Sequence, residues 1–170
     1  MPKAALSAYR VEPLGDQHDR GAFSCGVEAL DRYFRVQAGQ DSRKRVATCF
    51  VMVDQDGSLA GYYTLSATSI TLVDLPAEIA RKLPRYPAIP ATLMGRLAVE
   101  RRHHSRGFGE LLLFDAFSRT LRSEIASFAF LVDAKDEAAQ AFYEHYGFRR
   151  LPSAGRRLFL PLAEIAASFA

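Results

Sequence analysis

Cysteine is scarce in this chain: Cys25 and Cys49 are the only two in 170 residues, too few for a disulfide framework and without the spacing of a metal site. Neither stands in a basic turn, so nothing lowers a thiol pKa and a cysteine nucleophile is not indicated. No Gly-x-Ser-x-Gly elbow is present, which removes the usual serine acyl-enzyme. No Gly-x-x-x-x-Gly-Lys-Ser/Thr is present either, which removes the P-loop. Apolar runs are short, none approaching the roughly 18 residues of a membrane span, and the first residues lack the apolar core of a signal peptide. The expectation is a cytoplasmic protein with no membrane partner. There is no repeat and no low-complexity segment.

What remains is 49% hydrophobic, enough for one compact core, and one domain over residues 1–170 is expected. The net charge of +3 is mild, but its distribution is uneven. Arg43-Lys44-Arg45, Arg101-Arg102 with Arg106, Arg149-Arg150 and Arg156-Arg157 form four clusters. For any one of them taken alone, a solvated face is the default reading.

The most informative segment runs from Leu97-Ala98-Val99 through Glu100-Arg101-Arg102-His103-His104-Ser105-Arg106-Gly107-Phe108-Gly109 to Glu110-Leu111-Leu112-Leu113. It reads as an apolar strand, a basic glycine turn and an amphipathic helix. A helix start carries about four unpaired N–H groups and a partial positive charge, so a glycine turn placed there suits a phosphate. The same pattern also serves a strand-to-helix turn with no ligand. His103 and His104 are adjacent, pointing to opposite sides of a strand and lacking the i, i+4 spacing of a helical zinc pair, so no metal is expected.

Elsewhere, Tyr9 and Val11 alternate as a short strand before Pro13, and Ser24 is placed to cap a helix from Gly26 to Gln40. Val46–Val53 and Leu59–Ile70 read as a hairpin around Asp54-Gln55-Asp56-Gly57. Pro76 starts a short helix through Lys82, which Pro84, Pro87 and Pro90 stop. A strand follows from Thr92 to Val99, then a long helix buried along Leu113, Phe114, Phe117, Leu121 and Ile125. Phe128–Asp133 is apolar enough for a strand buried on both faces, Asp136–Tyr146 is a helix, and Phe148–Leu151 and Arg157–Leu160 are short terminal strands. The fold class is α+β, with a mixed, mostly antiparallel twisted sheet flanked by helices.

The turn His104-Ser105-Arg106-Gly107-Phe108-Gly109 resembles the acyl-CoA pyrophosphate loop of the GNAT N-acetyltransferases, Gln/Arg-x-x-Gly-x-Gly/Ala, with His104 departing from the usual first residue. Phe142-Tyr143-Glu144-His145-Tyr146-Gly147-Phe148 resembles the family's second signature. His18-Asp19-Arg20, Phe23-Ser24-Cys25-Gly26, Leu30-Asp31-Arg32-Tyr33-Phe34, Gly61-Tyr62-Tyr63-Thr64-Leu65-Ser66, Gly95-Arg96-Leu97-Ala98-Val99 and Asp133-Ala134-Lys135-Asp136 extend the likeness to GNAT toxins of bacterial toxin–antitoxin pairs. This resemblance implies a single GNAT domain that moves acetyl from acetyl-CoA to the α-amino group of aminoacyl-tRNA. It also implies a ribbon-helix-helix antitoxin and a homodimer.

On the same resemblance, acetyl-CoA contacts Leu97, Ala98, Val99, His104, Ser105, Arg106, Gly107, Phe108, Gly109, Glu110, Lys135 and Phe142. Arg43, Lys44, Arg45, Arg96, Arg149 and Arg150 are candidates for tRNA. Tyr143 is the candidate general acid, because a phenol with pKa about 10 is protonated at neutral pH and can give its proton to sulfur. Packing alone is the other role open to it. The strand Thr92–Val99 holds no carboxylate, which suits an α-amine of reference pKa about 7.7 to 8.0 better than a lysine near about 10.4. Glu100 is a fallback base, otherwise a solvated charge. Lys135 can meet a phosphate, RNA or a surface carboxylate. A GNAT enzyme for a small amine or protein N-terminus, and a non-catalytic acyl-CoA- or RNA-binding module, are the alternatives.

Overall fold

The computed structural model describes residues 8–152 and 155–169. In chain order these form β1 (Arg10–Pro13), α1 (Glu28–Val36), α2 (Ala38–Arg43), β2 (Thr48–Val53), β3 (Leu59–Ile70), α3 (Ala77–Ala80) and β4 (Ile89–Val99). Then come α4 (Phe108–Arg122), β5 (Ala129–Asp133), α5 (Glu137–His145), β6 (Arg149–Arg150), β7 (Arg157–Pro161) and α6 (Leu162–Phe169), with 3-10 turns at Leu72–Asp74 and Arg101–His103. The strands order as β1-β2-β3-β4-β5-β7-β6. β4 and β5 are parallel, whereas β1–β2, β2–β3, β5–β7 and β6–β7 are antiparallel, so the sheet is mixed and mostly antiparallel as expected.

Two compact units make up the chain. The first holds residues up to Ser66 and Gly95–Ser118. Its hairpin turns on Asp54, whose Oδ1 accepts from the N–H groups of Asp56 and Ser58 at 2.9 Å each, with Gly57 at φ +83°. Its core is aromatic: Phe34 and Tyr62 stack at 4.3 Å, Phe23 meets Phe34 edge-on at 4.8 Å, and Tyr62 donates to the Leu30 carbonyl at 2.7 Å. Glu100 N donates to Ala60 O, and Gly61 faces Ala98 as Gly95 faces Thr64, so β3 and β4 run in opposite directions.

The second unit holds Ala67–Met94 and the chain from Arg119 onward. Ile70, Leu75, Ala91, Leu131, Leu151 and Phe159 form its core. Asp136 caps α5 by accepting from Ala139 N at 2.8 Å. The far end of α5 closes in a Schellman motif, with Phe148 N donating to Tyr143 O, Gly147 N to Glu144 O, and Gly147 at φ +95°.

Several boundaries differ from expectation. The helix expected over Gly26–Gln40 is two pieces meeting at Gln37, and its N-cap is Val27, without a side-chain bond. Ser24 does not cap it: Asp31 accepts from Cys25 N at 2.8 Å and from Ser24 Oγ at 3.5 Å, so the carboxylate reaches backward to fasten the entry. β4 begins at Ile89, three residues early, because Pro90 offers its carbonyl to Phe128 N and needs no donor of its own. α4 ends at Arg122, leaving Ile125 82% exposed rather than buried. β6 is only two residues long. α6 was not expected; its Ile165 is fully buried.

A methyl group at Gly61 would lie 2.8 Å from the Ala98 carbonyl oxygen and 2.8 Å from Leu112 Cδ1. Gly61→Ala should therefore destabilise the protein by about 1–3 kcal/mol, the usual cost of overpacking. Urea denaturation should show a lower midpoint at unchanged m-value.

Candidate active site

The residues after β4 build a turn whose backbone is held open. Glu100 is 5% exposed; its carboxylate accepts from Arg102 N at 3.1 Å and Arg102 Nε at 2.8 Å, starting the 3-10 turn. Burial opposes its charge, but the Arg102 bonds outweigh that and hold its pKa below the usual glutamate range. Glu100 is thus neither solvated nor poised as a base, contrary to both sequence-based expectations. His103 and His104 lie in and just after this 3-10 turn, not in a strand.

Ser105 takes φ 63° and Gly107 φ +79°, which reverse the chain into α4. Ser105 adopts the left-handed region at a cost of order 1 kcal/mol. Among the described residues, nothing accepts from the backbone N–H groups of Arg106 to Gly109, and a methyl on Gly107 would meet nothing within 4 Å. Free donors, open space and a 15-residue helix behind them suit a pyrophosphate.

Side chains around this turn differ from expectation. His104 Nε2 donates to the Val99 carbonyl at 2.8 Å, so that nitrogen does not serve a phosphate and the Val99 oxygen is already engaged. Phe108 is 1% exposed, stacked on His103 at 5.0 Å and met edge-on by Tyr9 at 4.8 Å, leaving only its backbone to face a ligand. Arg106 lies over the Phe108 ring and donates from Nη1 to His103 Nδ1 at 3.0 Å. Leu97 is half-buried and Ala98 buried, while Glu110 is exposed in the first turn of α4. Sequence reasoning missed the packing roles of Tyr9 and His103.

In the second unit Tyr143 is 6% exposed, its ring met edge-on by Phe142 at 5.2 Å and Phe148 at 5.5 Å. Its hydroxyl has no hydrogen-bond partner among the described residues, and it is not a sealed, unsatisfied atom, so it reaches the surface. Burial, with a smaller contribution from the Asp133 charge, raises the phenol well above its ordinary range. Lys135 is exposed and pairs with Asp136 at 3.3 Å. Asp133 is held by a two-pronged bond from Arg157, at 2.7 and 3.0 Å.

The Acetyltransferase (GNAT) domain family matches residues 46–150, which span β2 through β6 and include both the glycine turn and Tyr143. The chain belongs to the GNAT acetyltransferases. A probable toxin TacT of Sinorhizobium fredii is 33% identical, with 97% of each chain covered. A tRNA-acetylating toxin of Mycobacterium tuberculosis is 34% identical, with 95% of this chain and 98% of that one covered. Among solved structures, AtaT complexed with acetyl-methionyl-tRNAfMet superposes at TM-score 0.86 and 27% identity, over 95% of this chain and 99% of the other. AtaTR bound with acetyl-CoA gives 0.83 at 26% identity, over 96% and 99%. A tyrosine-to-phenylalanine mutant of AtaT bound to the C-terminus of the antitoxin AtaR gives 0.78 at 25%, over 96% and 99%.

The basic residues of this GNAT chain fall into two kinds. Arg149 pairs with Glu164 at 2.7 Å, lies over Phe159, and is tied down; Arg150 donates to Gln140 at 3.2 Å. Arg43, Lys44 and Arg45 are exposed, and Arg45 at φ 59° ends α2. Arg96 is half-buried, its guanidinium 3.5 Å from the Tyr33 ring centroid. Tyr33 in turn donates to Asp41 at 2.7 Å, and Gln37 holds the other Asp41 oxygen at 2.8 Å. A cleft of about 250 Å³ beside Glu100 and Arg102 carries Asp19 and Asp56, and its acidic lining suits no phosphate. No group of three His, Cys, Asp or Glu among the described residues is placed to hold a metal ion, and no described helix is long and apolar enough to cross a membrane.

Burial first, and then the Arg106 charge, lower the His103 pKa, so the fold favours the neutral ring that accepts from Arg106. Its contribution to stability is complete above the unfolded pKa of about 6.5 and is lost as pH falls through the lower folded value. His103→Phe keeps a ring on Phe108 but takes no proton. Its melting temperature should fall less than that of the unmodified chain between about pH 7 and pH 5.

Proposed function

We propose that this GNAT enzyme transfers acetyl from acetyl-CoA to the α-amino group of aminoacyl-tRNA, and that it is the toxin of a toxin–antitoxin pair. The observation that carries the chemistry is the Tyr143 hydroxyl, accessible on a buried ring and without a hydrogen-bond partner among the described residues, together with a β4 strand, Ile89–Val99, that holds no carboxylate. Near-full-length similarity to a tRNA-acetylating toxin supports the acceptor. In that role the protein works where translation does, in the cytoplasm, and an antitoxin neutralises it as AtaR binds AtaT. A ribbon-helix-helix antitoxin, a homodimer and a single domain over residues 1–170 belong to the same reading.

The residues present fit the cofactor. The N–H groups of Arg106 to Gly109 would hold its pyrophosphate at the start of α4, and Gly107 leaves room for it. Bound there, acetyl-CoA supplies an acetyl thioester. Tyr143 would give the proton that sulfur takes as the C–S bond breaks and the N–C bond forms; the nitrogen's proton leaves to water, and water returns one to the phenolate. Burial keeps the phenol protonated at neutral pH, as an acid must be, but also makes it a reluctant donor. Its proton therefore moves only as negative charge builds on sulfur.

No base is needed if the amine arrives neutral. Roughly a tenth or more of an α-amine is neutral at pH 7, against fewer than about one in a thousand for lysine. Removing the acid should be costly. Tyr143→Phe should keep the fold and the acetyl-CoA affinity while kcat falls about a hundredfold or more. Single-turnover acetylation of a charged-tRNA pool measures this, and wild-type turnover would assign Tyr143 to packing alone. Transfer to free amines or peptides but to no charged tRNA would favour a small-amine or N-terminal acetyltransferase.

Gly109→Glu places a negative charge at the start of α4. Calorimetry should show acetyl-CoA binding abolished in the folded variant.

A further inference from the structure

Gly39 is the second residue of α2, and its conformation does not call for glycine: its φ is not positive. Glycine weakens a helix relative to nearly any other residue, so the local sequence argues against it. A methyl on Gly39 would lie 3.2 Å from Arg43 Nη1, 3.4 Å from Arg20 Nη2 and 3.5 Å from Arg20 Nη1. The guanidinium ends of Arg20 and Arg43 thus converge beside Gly39, and both are ends of side chains that can shift by a few tenths of an ångström.

The two arginines are held differently. Arg20 is anchored, its Nη1 donating to the Phe34 carbonyl at 2.7 Å with its guanidinium 6.0 Å from the Phe34 ring centroid. Arg43 is exposed. Neither has a carboxylate partner among the described residues. Asp41, which accepts from Tyr33 and Gln37, forms no ion pair with either of them. Two like charges closing on a gap, with donors left over and no acid between them, form a site for an anion with several acceptor oxygens.

We propose that Arg20 and Arg43, closing over Gly39, form a phosphodiester clamp for the tRNA substrate. The clamp rests on the tRNA reading above and adds Arg20 and Gly39 to the candidates for RNA contact. An anchored guanidinium facing an exposed one suits a phosphate, which Arg20 receives in fixed geometry and Arg43 closes upon. Such a contact carries no base information and sets the position of the RNA on the protein.

The test fills the clamp from within. Gly39→Glu delivers a carboxylate between the two guanidinium groups, while Gly39→Gln has the same bulk and no charge; both remove a helix-weakening glycine, so neither should lower the melting temperature. Binding of deacylated tRNA is measured against salt for these two, for Arg43→Gln and for the unmodified chain. Gly39→Glu and Arg43→Gln should weaken tRNA binding roughly tenfold and reduce the log–log salt slope by about 0.7 to 0.9 for each phosphate no longer neutralised. Gly39→Gln should do less. Unchanged affinity and slope in folded Gly39→Glu and Arg43→Gln would overturn the clamp. So would a loss of acetyl-CoA affinity with tRNA binding intact, which would assign the two arginines to a phosphate of the cofactor. Transfer to charged tRNA by the unmodified chain is a separate assay, and its failure would overturn the functional reading while the binding comparison still decides the clamp.

Discussion

Backbone is packed against backbone where Gly61 of β3 passes Ala98 of β4, and the position of the glycine turn follows from that approach. With no side chain at Gly61, the Ala98 carbonyl and the Leu112 side chain of α4 close into the same space. Leu112 lies one turn into α4, so fixing it fixes the helix start and the N–H groups that precede it. Glu100 completes the arrangement from the strand side. Its backbone N–H joins β3 at Ala60, while its buried carboxylate holds Arg102 and begins the 3-10 turn. Between these anchors the chain reverses through Ser105 and Gly107, and the donors left over are those a diphosphate requires.

The charged side chains around this frame sort by what already holds them. Arg157 neutralises Asp133, Arg102 neutralises Glu100, and Arg149 is shared between Glu164 and the Phe159 ring. Arg96 rests on the Tyr33 ring and Arg20 is held by the Phe34 carbonyl, neither with a carboxylate ion pair among the described residues. A guanidinium on an aromatic face is desolvated on one side and keeps its in-plane donors. On the proposed reading, these held arginines need less ordering to meet an RNA phosphate than the exposed Arg43-Lys44-Arg45 run taken alone, whose flexible side chains must be ordered on binding.

Local chemistry made much of this readable from sequence. The Asp54–Gly57 turn, the Gly107 reversal and the Gly147 helix stop each depend on residues a few positions apart, and all three form where expected. What was not readable depended on distant partners. Ser24 is the stronger local candidate for a cap, yet Asp31, seven residues on, captures the backbone instead. Glu100 reads as a solvated strand end because burial beneath the turn is invisible along the chain. One miss produced another: without α6, nothing showed that Glu164 stands ready for Arg149. The Phe108 ring and the His104 ring likewise carry the family pattern while turning to structural partners that the pattern does not name.

On the proposed reading, an enzyme with an acid but no base leaves acceptor choice to the acceptor itself. At pH 7 the neutral fraction of an α-amine exceeds that of a lysine side chain by about two to three orders of magnitude. The carboxylate-free β4 strand therefore discriminates by omission. Positioning then supplies what the chemistry does not. On the proposed reading, polyanion contacts made equally before and during transfer raise the occupancy of the acceptor without altering the chemical step. On that reading, recognition of the RNA by the arginines and protonation of the leaving sulfur by the Tyr143 phenol reside on different residues.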